Sequence, residues 1–520
     1  MKKVLELIIV IFFLGFCLTA SYAYEAFSGP TELRYYDKEK ACVGYMLFWP
    51  WGLDGKSPVF LIDMEGNVVH TWPALVNPKF YEDGLLIGGF KELDWDGNVL
   101  WEWTEVPQVR PNMFIKHNGA QMWRIWNPKL KQHTYLGKVH ITPTTQEEAV
   151  AAGCDPSKNY TRAYRAGLIE VDREFNIIWE WDFLDHVIQD RNPAWPNYVG
   201  KGKTIADYPG KLDLFHTNDL GVRNNSGEGL IRDWQHVNSI DYNPETDHIA
   251  INAKHWSEFY VIDHGATFVA GDIEASNKLA ASDAGDFIYR FGKPSAYQQG
   301  EAPGFLDEGN QQMYGAHNIQ WIKPGLPGAG NFLIFDNGVW NPTGTQSEIL
   351  EINPFLDAEK KNTGFYVNPP DAGYTRRGDS NQIVWSFKSS LPNSFYAQSQ
   401  SGCQRLPNGN VLINSANTGH FFQVTPDGEV VWEYIQPVTR SSGIKKIQHD
   451  KDAREFEVFR CYFYPPDYPG LKGKDLTPKG KITELADRGE FDSIIKALPQ
   501  RQKGGGRNKG GKKGGNKRSR

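Results

Sequence analysis

The chain lacks the short motifs that mark several common classes of enzyme. Its 520 residues contain no H-E-x-x-H, no G-x-S-x-G and no C-x-x-C, which excludes the motif-defined zinc peptidases, nucleophile-elbow hydrolases and thioredoxin-like redox proteins. The segment NYVGKGKT at 197–204 approaches a phosphate-binding loop, but Asn197 stands where the first glycine belongs and no strongly helical segment follows. We interpret it as a basic surface loop, so the sequence offers no sound phosphate loop.

Long apolar runs are confined to the first 23 residues. The basic start MKK precedes the apolar run VLELIIVIFFLGFCLTA, and the small residues Ser21 and Ala23 stand where a signal peptidase site needs them. This order is typical of a cleaved secretory signal peptide, and a membrane anchor is the alternative. Because no second long apolar stretch follows, we expect a soluble mature protein that is periplasmic or secreted.

Cysteine is scarce, and its pairing matters in an exported protein. Five cysteines occur, of which Cys17 lies in the signal peptide. The others are Cys42, Cys154, Cys403 and Cys461. An oxidising compartment permits disulfides, but the sequence does not choose among the pairings.

Acidic and apolar residues are both missing from the C-terminal segment 503–520. Its sequence KGGGRNKGGKKGGNKRSR carries eight basic residues and cannot bury a core, so we predict a disordered tail after a short helical appendage at 486–502. The formal net charge of the whole chain is −6, so the rest of the chain is acidic and a nucleic-acid partner is not expected. The tail is either a solvated extension or a contact for anionic polymers of the cell envelope.

What the sequence has in abundance is a repeat of an apolar strand, a tight turn and an alternating strand that ends in Trp or Tyr. Four clear copies are VFLIDMEGNVVHTW (59–72), KELDWDGNVLWEW (91–103), LIEVDREFNIIWEW (168–181) and FFQVTPDGEVVWEY (421–434). Two weaker copies start at FYVIDHG (259–265) and EILEINP (348–354), and each is interrupted by an insertion. Each unit is a β-hairpin whose turn residues supply the positive φ of a tight turn. One hairpin cannot bury its apolar face alone, so neighbouring hairpins must cover it.

Inner hairpins complete each repeat into a unit of four strands. The inner-strand candidates are the segments at 236–253, 317–338 and 403–419. Six such units predict an all-β, six-bladed β-propeller over residues 24–485 with a few helical insertions. A stack of β-sandwiches is the alternative, and it accounts less well for the regular W-E-W pattern.

The two ends of the propeller are expected to meet in one blade, because a propeller must close its ring. Residues 41–48 and 455–463 both have the pattern of strands. If they share a blade, Cys42 and Cys461 come close together, so we predict a closing disulfide between them. Two buried thiols are the alternative.

Histidines recur where inner strands begin, at the mouth of the central channel. His236, in DWQHVNSIDY, and His317, in YGAHNIQW, start corresponding strands of successive units, so they should converge on one axis. His117, His255 and His420 lie at other strand ends. Each histidine taken alone is more often a packed structural residue. Three or more converging histidines also suit zinc or copper, so a metal site is the rival hypothesis.

Longer segments make most of the chain recognisable. They are DWQHVNSIDYNPETDHIAI, GAHNIQWIKPGLPGAGNFLIFDNG, SGCQRLPNGNVLINSANTGHFFQVTPDGEVVWEY and RCYFYPPDYPGLKGKDLTP, within about residues 40–480. In this order they resemble the bacterial arylsulfotransferase (aryl-sulfate sulfotransferase) family, in its divergent branch. The resemblance implies a periplasmic six-bladed propeller that moves a sulfuryl group from a phenolic sulfate ester to a phenol acceptor. It also implies a histidine intermediate, no nucleotide sulfate donor and no cofactor.

The resemblance assigns roles to individual residues. His236 and His317 match catalytic histidines that hold the sulfate, and His420 is the best candidate for the nucleophile that carries the sulfuryl group. The residues expected to bind the substrate or its sulfate are His117, His255, Asn238, Gln404 and Arg405.

One position departs from the family pattern. After FDNG (335–338) the related enzymes tend to carry a sulfate-binding arginine, whereas this chain continues VWNPTG. Arg405 and Arg377 are the candidates to replace that cation. The competing hypothesis is a non-catalytic or metal-binding propeller module of the cell envelope, because a fold does not fix a function.

Overall fold

A computed structural model describes most of the chain. The described residues are 29–103, 113–114, 122–141, 146–157, 165–215, 233–368, 371–373, 380–390 and 394–493. The signal peptide at 1–23, His117, Arg377 and the tail at 503–520 lie outside the described residues. The boundaries of the propeller at 24–485 and of the appendage at 486–502 stay predictions.

The described residues form many short strands and few helices. The strands are β1 (Gly29–Pro30), β2 (Glu32–Tyr36), β3 (Tyr45–Pro50), β4 (Val59–Asp63), β5 (Val68–Trp72), β6 (Lys79–Phe80), β7 (Leu86–Gly88), β8 (Lys91–Leu93), β9 (Val99–Glu102), β10 (Met113–Phe114), β11 (Met122–Asn127), β12 (Gln132–Ile141), β13 (Arg165–Val171), β14 (Ile177–Asp182), β15 (Val187–Ile188), β16 (Leu212–Asp213), β17 (Val237–Asn243), β18 (His248–Ala253), β19 (Glu258–Asp263), β20 (Phe287–Phe291), β21 (His317–Trp321), β22 (Phe332–Asp336), β23 (Glu348–Ile352), β24 (Ile383–Phe387), β25 (Gly402–Arg405), β26 (Val411–Ser415), β27 (His420–Val424), β28 (Val430–Ile435), β29 (Ile447–Gln448) and β30 (Val458–Tyr464). The α-helices are α1 (Gln146–Ala151), α2 (His264–Thr267), α3 (Ile273–Ala280) and α4 (Ile482–Asp487). None of these helices is long and apolar enough to span a membrane.

Six antiparallel sheets form the blades of a β-propeller around a central channel, as the repeat predicted. From the channel outward, the blades are β30-β3-β4-β5, β6-β7-β8-β9, β10-β12-β13-β14, β17-β18-β19-β20, β21-β22-β23-β24 and β25-β26-β27-β28-β2. In blade three, β10 and β11 both pair with β12, so its inner strand is interrupted. The pairs β1-β29 and β15-β16 lie outside the blades.

The two ends of the described chain close the ring in blade one. β30 pairs with β3 in antiparallel register, from Tyr45 opposite Tyr464 to Pro50 opposite Val458. A second closure occurs in blade six, where β2 pairs with the outer strand β28. The expected sharing of a blade by segments 41–48 and 455–463 is therefore confirmed.

The disulfide expected between Cys42 and Cys461 is absent from the structure, so that prediction was wrong. All four described cysteines are buried free thiols. Cys461 lies on β30 opposite Phe48. Cys42 instead precedes β3 and is held by blade six, where its N–H donates to Gln423 Oε1 over 2.8 Å and its carbonyl accepts from Gln423 Nε2 over 3.1 Å. Both thiols act as small apolar side chains in one core.

Aromatic residues of the outer strands, tryptophans in five of the six blades, form hydrogen bonds that join each blade to the next. Trp72, on the outer strand of blade one, donates its Nε1–H to the carbonyl of Asp94 in blade two over 3.1 Å. The corresponding donors and acceptors around the ring are Trp101 to Arg173 O, Trp179 to Thr267 Oγ1, Tyr289 to Gln382 Oε1, Trp385 to Pro426 O and Trp432 to Met64 O. Every acceptor lies between the third and fourth strands of the next blade. The W-E-W pattern therefore indicates residues that hydrogen-bond one blade to the next, as well as residues of the core.

Candidate functional site

The inner strands define the two mouths of the channel. His236 immediately precedes β17 and His317 opens β21, so both lie where inner strands begin. The two strands are tied together by Ile319 N–H, which donates to Ser239 Oγ over 3.0 Å. We call this end of the channel, with His236, His255 and His317, the histidine mouth.

Asp233 and His236 form a hydrogen-bonded pair at the histidine mouth. The Nδ1 of His236 lies 2.6 Å from Asp233 Oδ2, and because a carboxylate only accepts, Nδ1 carries the proton. The side chain of His236 is 37% exposed, and no described residue hydrogen-bonds to its Nε2. The neutral form of this imidazole therefore presents its lone pair at Nε2 to the mouth.

His255 packs against this pair. Its ring stacks on that of His236 with centroids 4.7 Å apart, and its Nδ1 donates to the carbonyl of Asp233 over 2.8 Å. Burial, and then the charge of His236, lower the pKa of His255 to about 4. Burial opposes the charge of Asp233, but the hydrogen bond from His236 and the surrounding positive charges hold the pKa of Asp233 well below its usual value. Near neutral pH the site combines an ionised carboxylate with a neutral His255.

His317 is more deeply buried, and both of its ring nitrogens are occupied. Gln400 N–H donates to Nε2 over 3.1 Å, so the ring proton lies on Nδ1, which donates to Asn337 Oδ1 over 2.6 Å. Burial, and then the charges of Lys254 and Arg460, lower the pKa of His317 well below its usual value. His317 is therefore a neutral residue in a fixed orientation, without a free nitrogen.

Two cations supply positive charge to this part of the channel. Lys254 follows β18, and its Nζ lies 5.9 Å from the centre of the Trp340 ring. Burial lowers the pKa of Lys254, and the charge of Asp233 opposes this shift. Arg460 is on β30, and burial lowers its pKa to about 10. Its Nη1 donates to Ser401 O, whereas Nη2 is buried and has no hydrogen-bond partner among the described residues. An unpaired guanidinium nitrogen is a ready contact for an anion.

His420 lies away from these residues. It opens β27, the third strand of blade six, and its Nε2 is 2.8 Å from Glu433 Oε1 on β28. Its ring also packs against Phe422 at 4.8 Å. The side chain is engaged between outer strands, and the structure does not bring it to His236 or His317.

Three other residues expected to bind the substrate hold blades together instead. Arg405 forms a buried ion pair with Glu351 of blade five, so it does not replace the missing cation. Gln404 accepts from Phe463 N–H over 2.8 Å and donates to Phe463 O over 3.0 Å. Asn238 Nδ2 donates to the carbonyl of the residue before β21 over 2.8 Å. Of the expected binding residues that the structure describes, His255 alone contacts the Asp233–His236 pair.

Sequence reasoning missed Lys254 and Arg460, although both lie in segments that it singled out. Lys254 stands beside His255, and Arg460 begins the segment RCYFY. Side chains alternate along a strand, so Arg460 and Tyr462 share one side of β30. Had 455–463 been assigned to the inner strand of the closing blade, Arg460 would have been a candidate for the channel.

No metal site emerges from the described part of the chain. Over those residues, no group of three or more His, Cys, Asp or Glu side chains is placed to hold a metal ion.

The fold and this cluster define a class: a closed six-bladed propeller with histidines and cations at one mouth of its axial channel. The comparison with known families is more specific, because the family described as Arylsulfotransferase (ASST) matches residues 140–460. That range covers more than half of the chain and includes His236, His317 and Arg460. The chain belongs to the arylsulfotransferase family, and this membership supports an arylsulfotransferase-type activity on small aryl sulfates and phenols.

Several solved structures match at low identity. A protein of unknown function from Bacteroides caccae is 11% identical, with a TM-score of 0.35, over 78% of this chain and 98% of that chain. Streptogramin B lyase is 8% identical, with a TM-score of 0.33, over 85% and 97% of the two chains. Virginiamycin B lyase from Staphylococcus aureus is 10% identical, with a TM-score of 0.25, over 87% of each chain. No curated protein sequence matches this chain.

Proposed function

We propose that the chain is an exported arylsulfotransferase that moves a sulfuryl group from a phenolic sulfate ester to a phenol through a covalent intermediate on His236. The observation that carries the proposal is the Asp233–His236 pair, whose Nε2 is open at the histidine mouth. His236 replaces His420 as the candidate nucleophile, because His420 lies against Glu433 in the outer strands. A carboxylate behind an imidazole fixes its tautomer and stabilises the positive charge that develops when Nε2 reacts.

In the first half-reaction the lone pair on His236 Nε2 attacks the sulfur of the ester. The N–S bond forms as the S–O bond to the phenol breaks, and the phenolate leaves and takes a proton from water. The sulfonated ring gains a positive charge, which the ionised Asp233 offsets through Nδ1–H. Lys254 and Arg460 are the cations available to the sulfuryl oxygens, over which negative charge spreads as it does in phosphoryl transfer.

In the second half-reaction the acceptor phenol attacks the same sulfur. The new O–S bond forms, the N–S bond breaks with its electron pair returning to Nε2, and the phenol proton passes to water. Donor and acceptor react in turn at one site, so we expect ping-pong kinetics. Trp340 is half exposed, and its ring centre is 6.0 Å from that of His255, so its indole is available to stack on a phenolic ring.

The proposal requires no nucleotide sulfate donor. The near-match to a phosphate loop at 197–204 leads into a 3-10 turn at Ile205–Asp207. That single turn is too short to act as the helix N-terminus on which a phosphate-binding loop depends.

Turnover of 4-nitrophenyl sulfate with a phenol acceptor tests the assignment of the nucleophile. We expect His236→Ala to lower kcat/KM by about 10³-fold or more, and His420→Ala to change it by about twofold at most. Wild-type protein incubated with the donor alone should gain the mass of one SO₃ group on a peptide that contains His236. A sulfonated peptide containing His420 would instead make that residue the nucleophile. Absence of turnover with every phenol acceptor would favour the non-catalytic binding module.

Export is proposed from the N-terminal pattern alone. A basic start, an apolar run and small residues before position 24 are the features that a signal peptidase recognises. We expect the mature protein to begin after Ala23 and to fractionate with periplasmic or secreted proteins. N-terminal sequencing of the purified protein checks this, and an intact N-terminus on cytoplasmic protein would contradict it.

A further inference from the structure

The opposite mouth of the channel holds a second cavity, which is not lined by His236, His255 or His317. Its volume is about 640 Å³, which lies in the range of small-molecule binding sites. Residues at the ends of β17 and β21, the strand β11 and the loop after β21 form its walls, and Arg460 reaches it from the channel. We call this space the far cavity.

Two lysines line the far cavity without a counterion of their own. Lys79 and Lys323 both contribute to its walls, and neither ammonium group makes a salt bridge or a hydrogen bond to any residue that the structure describes. Burial, and then the charge of Lys79, lower the pKa of Lys323. The two ammonium groups are therefore close enough to repel each other, and an anion between them would relieve that repulsion.

The acidic residues of the far cavity do not form a salt bridge with either lysine, although the charges of Asp241 and Glu82 partly oppose the lowering of the pKa of Lys323. Asp241 Oδ2 accepts from Trp321 N–H over 2.9 Å, and burial raises the pKa of this carboxyl group. Glu82 and Glu245 also line the cavity, but both side chains are exposed to solvent, where salt screens their attraction. Lys79 and Lys323 therefore line the cavity without a direct ion-pair partner among the described residues.

Aromatic side chains form another part of the walls. Trp123, Trp126, Trp321 and Tyr462 line the far cavity. Trp126 is 44% exposed, whereas Trp72, Trp179 and Trp432 of the repeat are buried between blades. An exposed indole beside a cationic cavity offers a stacking surface for a flat ring.

We propose that the far cavity binds a small aromatic molecule that carries one anionic group, with the anion between Lys79 and Lys323 and the ring against Trp126. The site lies at the mouth opposite the Asp233–His236 pair, so it goes beyond the proposed sulfuryl transfer and does not depend on it. A sulfonate, a sulfate or a carboxylate would satisfy the same two lysines, and the ligands chosen below separate these groups.

Calorimetric titration with naphthalene-2-sulfonate tests the proposal, because this compound has no ester bond to transfer. We expect Lys79→Ala and Lys323→Ala each to weaken its binding by about tenfold. The matched change Lys278→Ala, at an exposed lysine of α3, should leave the affinity unchanged. His236→Ala should leave the binding that depends on Lys79 and Lys323 unchanged, because His236 lies at the histidine mouth.

Further ligands show which feature the far cavity recognises. Methanesulfonate, which lacks the ring, and 2-naphthol, which lacks the anionic group, should each bind at least about tenfold more weakly than naphthalene-2-sulfonate. The relative affinity of 2-naphthoate tells a carboxylate site from a sulfonate or sulfate site. Trp126→Ala should reduce the preference for naphthalene-2-sulfonate over methanesulfonate.

Three results would overturn the proposal. They are no binding of naphthalene-2-sulfonate to the wild type, unchanged binding in both lysine variants, and loss of binding in His236→Ala. Thermal melting of each variant establishes that it is folded, and Lys79→Gln and Lys323→Gln provide a second pair of variants if an alanine variant unfolds.

Discussion

Single hydrogen bonds decide which histidine of the channel is able to react. His236 and His317 both lie where an inner strand begins, yet their ring nitrogens have different partners. A carboxylate holds Nδ1 of His236 and leaves Nε2 open, whereas a backbone N–H occupies Nε2 of His317 and an amide oxygen holds its Nδ1. A nucleophile needs a free lone pair, so we propose that His236 reacts and that His317 shapes the wall of the channel.

The carboxylate of Asp233 should be needed for activity although it does not touch the substrate. Asp233→Asn keeps the size of the side chain but removes its charge, so it no longer enforces the Nδ1–H tautomer or stabilises the sulfonated ring. We expect kcat for 4-nitrophenyl sulfate to fall by about 10²-fold or more. Asp172→Asn, at an exposed turn of blade three where the side chain only accepts turn hydrogen bonds, is the matched control and should retain full activity. Equal activity of the two variants would remove Asp233 from the mechanism.

The cysteines of the closing blade should be thiols that do not react in the folded protein. Burial raises the pKa of Cys461 well above its usual value and also raises that of Cys42, so little reactive thiolate forms. We expect neither to be alkylated in native protein, and both to be alkylated in guanidinium without a reductant. Peptide mapping by mass spectrometry measures this, with the buried thiol Cys403 as an internal reference. A disulfide-linked peptide containing Cys42 and Cys461 would contradict the structure.

The sequence predicted the pair of channel histidines but not the groups that distinguish them. The repeat located His236 and His317, because equivalent positions in a propeller converge on its axis. Asn337 and Gln400, however, lie 20 and 83 residues after His317, and no local pattern links them to it. His420 could not be placed from the sequence for a similar reason. The repeat predicted that it lies at a strand end, but its distance from the axis depends on which strand of the blade carries it.

At the scale of secondary-structure elements, an aromatic residue on each outer strand joins one blade to the next; it is a tryptophan in five blades and Tyr289 in blade four. Trp432 closes this series, since its Nε1–H donates to Met64 O over 2.9 Å from blade six to blade one. Trp432→Phe removes the donor and leaves a buried carbonyl unsatisfied, so we expect a loss of about 1–3 kcal/mol in the free energy of unfolding. Urea denaturation measures it.

A neighbouring residue on the same strand provides the control for Trp432. The hydroxyl of Tyr434 is buried without a hydrogen-bond partner in the described residues, so Tyr434→Phe removes a polar atom that contributes no bond. We expect Tyr434→Phe to be neutral or slightly stabilising. If both variants lost the same stability, packing of the rings rather than the bond to Met64 would join the two blades.

A buried ionic network joins blades three and four. His264, at the start of α2, contacts Asp247 Oδ1 at 2.7 Å through Nδ1 and Glu170 Oε2 at 2.9 Å through Nε2. Burial opposes its charge, but the hydrogen bonds to both carboxylates raise the pKa of His264 from 6.5 to about 9. Between pH 6.5 and about 9, the folded state therefore keeps a proton on His264 that the unfolded state has lost.

This network should make stability fall at alkaline pH. Its contribution is complete below pH 6.5 and is lost as the pH rises through 9, by at most about 3 kcal/mol. We expect the urea midpoint of the wild type to decrease over that range, and His264→Gln to lose this pH dependence while being less stable throughout. His449→Gln, at an exposed position, should behave as the wild type does. A decrease that persists in His264→Gln would assign it to other groups.

The elements themselves were largely predictable, because each hairpin carries its own turn chemistry and alternation. The insertions were harder to interpret. FYVIDHG appeared as a weak copy of the repeat, yet its His264 is the centre of the network between blades three and four. The split of the inner strand of blade three into β10 and β11 was not predicted, since the strand pairing depends on β12 rather than on local pattern.

For the whole molecule, the order of strands in space departs from the order in the sequence at blade one. The last strand, β30, forms the inner strand of the first blade and brings Arg460 into the channel and Tyr462 to the far cavity. The closure was predictable from the general need of a propeller to close. The positions of Arg460 in the channel and of Tyr462 at the far cavity were not predictable, because they follow only once β30 is known to line the channel.

Truncations should separate closure of the ring from the segments that follow it. A chain that ends at residue 493 keeps every described element, so we expect its thermal melting to match that of the full chain. A chain that ends at 478 loses α4, which buries Ile482 and Leu485 in the core next to blade one, and should melt cooperatively at a lower temperature.

A chain that ends at 457 also loses β30, which exposes the edge of β3 and the apolar faces that Cys461 and Phe463 cover. We expect this last chain to aggregate or to melt without cooperativity, as followed by circular dichroism and light scattering. Cooperative melting of the 457-residue chain at the temperature of the 478-residue chain would show that the other blades hold the ring without β30.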